Sequence, residues 1–173
     1  LILFADDIKG YIPPRMGRSH FMEILDTIVK VKPYPCRNTR LQNALTKLIT
    51  EVPESLTFIL SDFLYPLDFT YSFHRTAHGT TRHEVKAIQV LENGEISLPV
   101  DAQGILPLYD YESGGTTLFD LSQWKIYNQK IEEEHKKIKQ RLERAGIDLV
   151  VITPEDDFQK KINSFMKRPA FLE

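Results

Sequence analysis

An α/β sandwich with a mostly parallel sheet between helix layers is the fold class the sequence predicts. Three observations predict it. Short apolar runs at 1–4, 56–60, 85–91 and 147–152 alternate with stretches whose apolar residues recur at helical spacing. The run Leu56-Thr57-Phe58-Ile59-Leu60 is apolar or β-branched at every position, the pattern of a strand covered on both faces. The composition is that of an ordinary globular chain, with 42% hydrophobic and 27% charged residues among 173. That length fits a single domain spanning 1–173.

Each element has its own justification. Leu1 to Phe4 is a short apolar strand, and Ala5-Asp6-Asp7 with Gly10 turns the chain back. Tyr11 and Ile12 form a second arm that Pro13 and Pro14 end, which suits a sheet edge. Ser19 is the expected cap of a first helix, whose buried face is Phe21, Ile24, Leu25, Ile28 and Val29. Pro33 and Pro35 end it. A second helix repeats the pattern with Leu41, Ala44, Leu45, Leu48 and Ile49, capped by Asn38 or Thr39 and ended by Pro53. Residues 56–60 are the expected central parallel strand, closed by Ser61-Asp62. A weak helix over 71–81 precedes a strand over 85–91, and Asn93-Gly94 signals a tight turn.

Over about 93–121 the pattern breaks into short β pieces with Gly104, Gly114 and Gly115, read as a small antiparallel insertion. A long charged helix follows over 122–145, with Trp124, Tyr127, Ile131, Ile138 and Leu142 as its apolar stripe and Gly146 as its stop. Residues 147–152 form a last buried strand. Thr153-Pro154-Glu155-Asp156 starts a last helix, whose buried face is Phe158, Ile162, Phe165 and Met166. The opening LILFADD carries no starting Met and reads as the middle of a domain, so the sheet is expected to be incomplete at its N-terminus.

Several function classes fall away. A net charge of −2 and a pI near 6.2 give no basic excess for nucleic acid. Cys36 is the single cysteine, so neither an internal disulfide nor a Cys-rich zinc knuckle can form, and its loop setting reads as an ordinary thiol. No apolar run approaches the roughly 20 residues of a membrane span. No G-x-S-x-G elbow and no P-loop is present. His74, His78 and His83, with Glu84 next, invite a zinc reading, but the glycine and threonines at 79–81 favour a solvated helix end. His20 and His135 read as surface or partly buried residues. The Glu132-Glu133-Glu134 and Lys136-Lys137 run is a solvated face.

In open parallel sheets ligands bind beyond the carboxyl ends of the strands. That rule selects Asp62, directly after the expected central strand, then Thr39 before a helix, then Asp6 and Asp7 after the first strand. A carboxylate at such an edge can hold a hard cation, or simply cap a turn. Arg15 and Arg18, around Met16-Gly17, could grip an acidic partner or be solvated.

These residues carry a resemblance. The stretch LILFADDIKGYIPPRMGRSHFMEIL resembles the F-A-D-x-V…x-I-P-P-R-x-G-R-S-H segment of the bacterial "domain of unknown function 58" proteins, which are similar to von Willebrand factor type A domains. NTRLQNAL, FILSDFL, VKAIQVLENGEISLP and LYDYESGGTTLFDLS resemble further motifs of that family in the same order. The resemblance implies a Rossmann-like three-layer sandwich. It places Thr39 at the threonine position, and Asp62 at the aspartate position, of a metal-ion-dependent adhesion site. The D-x-S-x-S loop of that site belongs upstream of Leu1, and the implied cofactor is Mg2+ in the full-length protein. It also implies a MoxR-type AAA+ ATPase as partner, and a protein of the bacterial cytoplasm or one tied to the membrane through upstream residues.

Three functions follow as expectations. The first is a non-enzymatic protein-interaction module, with Asp6, Asp7, Arg15 and Arg18 on its partner-binding rim and Asp62 beside them. The second is a metal-dependent hydrolase using Asp62 with Asp6 or Asp7. The third is a structural domain of a larger assembly that docks through the 95–121 insertion.

Overall fold

The computed structural model describes residues 1–32, 38–71, 73, 83–101, 103–109 and 115–167. Strands and helices alternate as an α/β fold, with a parallel three-stranded sheet flanked by helices and small antiparallel hairpins. The chain divides into two compact units, 1–53 with 109–115, and 54–108 with 116–173.

In the first unit, β1 (Ile2–Phe4) and β2 (Ile8–Tyr11) pair antiparallel as a two-stranded sheet of their own, with Ile2 opposite Tyr11 and a register shift between Leu3 and Phe4. The expected hairpin is present; among the described residues it pairs with no further strand. Helix α1 (Arg18–Lys30) begins one residue before the expected cap, and its N-cap is Gly17 at φ 106°. That backbone conformation suits glycine, and no side chain caps the helix, Ser19 included. The periodicity of α1 is as expected, but its stripe is not buried: Phe21, Leu25, Ile28 and Val29 are exposed, Val29 to 82%. Helix α2 (Leu41–Glu51) does bury its stripe of Leu41, Ala44, Leu45 and Leu48. Its N-cap is Arg40 rather than Asn38 or Thr39, again with no side-chain cap bond.

In the second unit, β3 (Ser55–Ser61), β4 (His83–Val90) and β7 (Asp148–Ile152) form a parallel sheet in the order β3-β4-β7. Ser55 to Ser61 run in register with His83 to Gln89, and Lys86 to Val90 with Asp148 to Ile152. The central strand is therefore β4, not β3. Val85 through Gln89 are all buried, whereas Leu56, Phe58 and Leu60 of β3 stand exposed on one face, Leu60 to 63%. The apolar run over 56–60 indicates a strand, but one of its faces is open.

Helix α4 (Trp124–Arg144), entered through a 3-10 turn at Leu121–Gln123, buries Ile138 and Leu142 and packs on β7. Gly146 at φ 75° ends it as expected. Helix α5 (Phe158–Met166) sets Phe165 and Ile162 against Ile88, Val150 and Ile152. Its cap is Asp157, whose carboxylate accepts the Lys160 N–H at 3.0 Å. Thr153 instead opens a turn, its N–H and hydroxyl both donating to Asp156 Oδ2 at 2.8 and 3.0 Å. Phe158 and Met166 of the expected buried face are exposed.

Asn93-Gly94 is not a tight turn. It opens a one-turn helix, α3 (Asn93–Ile96), closed by a reciprocal capping box between Glu92 and Glu95. The insertion forms β5 (Ile105–Tyr109) and β6 (Thr116–Asp120), a two-stranded antiparallel sheet. The helix expected over 71–81 lies largely outside the described residues; Tyr71 and Phe73 are not helical.

Candidate functional site

The carboxyl ends of β3, β4 and β7 place three loops on one rim of the second unit. Asp62 follows β3 directly and is exposed. Its Oδ1 accepts the Leu64 N–H at 3.2 Å and the Ser61 hydroxyl at 3.4 Å, an Asx-type turn. The Ser61 hydroxyl also accepts the Phe63 N–H at 3.1 Å, so the two side chains brace the same turn.

The Asp62 turn is tied down from beneath. The side-chain amide of Gln89, a fully buried residue of β4, donates to the Asp62 carbonyl at 2.7 Å. Phe63 adopts φ 57°, a left-handed conformation costly for a bulky residue, while its ring is 0% exposed. Burial of the ring holds the backbone in that conformation. Tyr65 lies close by, its ring centroid 6.3 Å from that of Phe63 and its oxygen 3.2 Å from the Ser61 hydroxyl. Burial pushes the Tyr65 phenol well above its usual range, and the nearby Asp62 carboxylate adds to the effect.

The other two loops are joined. Asn93 Nδ2, after β4, donates to Glu155 Oε1, after β7, at 2.7 Å. Beside Glu155, the Asp156 carboxylate takes the Lys161 ammonium at 2.6 Å, and that bond holds its carboxyl below the usual carboxylate range. Lys161 also reaches the Val151 carbonyl at 3.1 Å.

The first unit brings its own candidates together. Asp6 and Asp7 sit in the β1–β2 turn, where the Ala5 N–H donates to the Asp7 carbonyl at 2.9 Å. Lys9 lies 2.5 Å from Asp6 and holds its carboxyl low. Asp7 Oδ1 accepts the Ile8 N–H at 2.8 Å and the Asn43 side-chain amide of α2 at 3.3 Å. The Arg40 N–H donates to the Ala5 carbonyl at 2.7 Å. The loop that carries Thr39 is thus pinned to the turn that carries the two aspartates. Arg15 and Arg18 are exposed around Met16 and Gly17. Thr39 and Asp62 belong to different units.

Among the described residues, no group of three or more His, Cys, Asp or Glu side chains is placed to hold a metal ion. Mg2+ asks for about six oxygens in an octahedron. Thr39 and Asp62 offer two side chains, and Asp62 Oδ1 already serves its own turn, so the described residues do not by themselves fit that ion. Of the histidines considered for zinc, His74 and His78 lie outside the described residues. His83 is not at a solvated helix end: it opens β4, is buried, and its Nδ1 lies 3.0 Å from the Ser55 hydroxyl. His20, 9% exposed, has Nδ1 3.4 Å from Glu23. Cys36 lies outside the described residues.

Sequence reasoning missed the supports of the Asp62 turn. A glutamine inside the otherwise apolar stretch Ala87-Ile88-Gln89-Val90-Leu91 was the available signal, because a buried amide needs a partner. Nothing local marks Phe63 as left-handed.

Comparison with known proteins adds a relationship. Residues 1–141 match the family described as protein of unknown function DUF58. An uncharacterized protein of Mycobacterium bovis and two of Mycobacterium tuberculosis are each 33% identical over 113 residues, covering 64% of this chain and 34% of the relative. The matched stretch thus spans about a third of the length of these curated relatives. No solved structure matches the chain.

Proposed function

The chain belongs to the DUF58 family of proteins of unknown function, and on that premise we propose that it is a protein-interaction module of the von Willebrand type A kind, without catalysis of its own. Its partner is a protein, and the family resemblance suggests a MoxR-type AAA+ ATPase that assembles or activates other proteins. One observation carries the reading. Asp62 stands exposed at the carboxyl end of a parallel strand, on a turn braced by Ser61, Phe63 and Gln89. A rim residue held this firmly is suited to recognition, because little ordering entropy remains to be lost on docking. Asp6, Asp7, Arg15 and Arg18 are further contact candidates in the first unit.

The alternative is a metal-dependent hydrolase. The described residues give it less support, because Asp62 is committed to its turn and Asp6 to Lys9.

The test is co-purification of the protein with a MoxR-type AAA+ ATPase. Asp62→Ala is expected to reduce capture at least about tenfold, the loss of a well-placed charged contact, with the melting temperature little changed. Equal capture by parent and variant would remove Asp62 from the interface. Metal-dependent turnover of phosphoesters, abolished by the same substitution, would favour the hydrolase.

A further inference from the structure

Lys86 is out of character for its position. It lies mid-strand in β4, the central strand, and is 2% exposed. The alternation of the strand puts it on the same face as Ile88, the face that Phe165 of α5 covers. Its Nζ lies 5.2 Å from the centroid of the Phe165 ring, 3.2 Å from Glu84 Oε1 and 4.0 Å from Asp148 Oδ2. Yet among the described residues Lys86 Nζ makes no hydrogen bond. An ammonium carries three donors, and burying one without hydrogen bonds is costly even beside opposite charge. The cation over the ring returns part of that cost.

The cover over this cation is slight. Helix α5 has nine residues, too few to be stable as an isolated helix. It reaches the sheet through Phe165, Ile162 and one polar tie, Lys161 Nζ to the Val151 carbonyl at 3.1 Å, while Phe158 and Met166 stay in solvent. Lifting α5 would return water to the Lys86 ammonium at the expense of one apolar contact cluster and the Lys161–Val151 bond. On the same sheet, α4 buries Ile138 and Leu142; among the described residues Lys86 is the one buried Lys or Arg.

We propose that α5 is a displaceable cover, which undocks from the β4–β7 face before the second unit unfolds, with the hydration of Lys86 weakening its docking. The proposal is independent of the rim and of any partner.

Hydrogen exchange on the protein tests it. Amides of α5 are expected to exchange faster than those of β4 and of the Ile138–Leu142 turn of α4. In Lys86→Met, which keeps the length and removes the charge, protection of α5 is expected to rise at least about tenfold, with β3 unchanged. A common exchange rate for α5 and β4 would overturn the proposal. So would unchanged or reduced α5 protection in Lys86→Met, because Lys86 would then fasten the helix. Amine labelling of the unmutated protein gives a second readout that needs no variant. An N-hydroxysuccinimide ester is expected to acylate Lys86 more slowly than the exposed Lys30 and Lys137, but faster than global unfolding. Acylation of Lys86 only at the rate of global unfolding would refute the opening.

Discussion

Asp156 shows how much one side chain can settle. Its Oδ2 takes two bonds from Thr153 and one from Lys161, so the exit of β7 and the approach to α5 are joined through one carboxylate. The Lys161 bond, and then the Thr153 N–H, hold its carboxyl below the ordinary value. A depressed carboxyl contributes stability that is present above the unfolded value and lost as the pH falls through the folded one. Asp156→Asn is therefore expected to lower the melting temperature at neutral pH. The gap from the parent should close as the pH drops below the usual carboxylate range, as followed by circular dichroism melts across pH. A gap independent of pH would mean that Asp156 matters for turn geometry rather than charge. At this scale the sequence was only partly legible. Thr153-Pro154-Glu155-Asp156 was visible as a helix approach, but the cap proved to be Asp157. Gln89 could be suspected, yet its bond to the Asp62 carbonyl spans 27 residues and has no local signature.

Helices and strands were legible as periods and less so as buried faces. The spacing of Leu41, Ala44, Leu45 and Leu48 gave α2 and its buried side together. The same spacing in α1 gave the helix, but Phe21, Leu25, Ile28 and Val29 stand in solvent. Periodicity says which residues share a face; whether anything packs there depends on residues far away in the chain. The run over 56–60 carries the same lesson, because its β-branched and aromatic content fits an edge strand as well as a central one. Two substitutions separate the cases. Leu142→Ala, at a fully buried position of α4, is expected to cost about 3 kcal/mol in urea denaturation, the usual loss for an emptied core site. Val29→Lys is expected to stay within about 0.5 kcal/mol, because a side chain already in water loses little. A large cost for Val29→Lys would mean that the α1 stripe is covered in solution.

For the whole molecule, the alternation of strands and helices gave the α/β class and the parallel sheet. It did not give the division into two units, because no composition shift marks Pro53 or Tyr109. The surface adds a physical constraint. A net charge of −2 at pH 7 provides weak mutual repulsion. Apolar side chains stand exposed on α1, β3 and the β5–β6 sheet, including Leu60, Ile105 and Leu118. Self-association is therefore expected to rise as the pH falls from about 8 towards the pI near 6.2, read as increasing light scattering at fixed concentration. Scattering that stays flat across that range would show that the apolar surface does not drive association. Among the described residues no helix is long and apolar enough to cross a membrane.

Phe63 has a consequence for how this chain can change over time. Its torsion angle favours glycine, and its place in the core asks for a large ring. Glycine there would relax the backbone and leave a void; leucine would fill much of the void and keep the strain. With two incompatible demands on one codon, drift at position 63 is narrow, and the shape of the neighbouring loop is inherited with it, whatever the loop is used for.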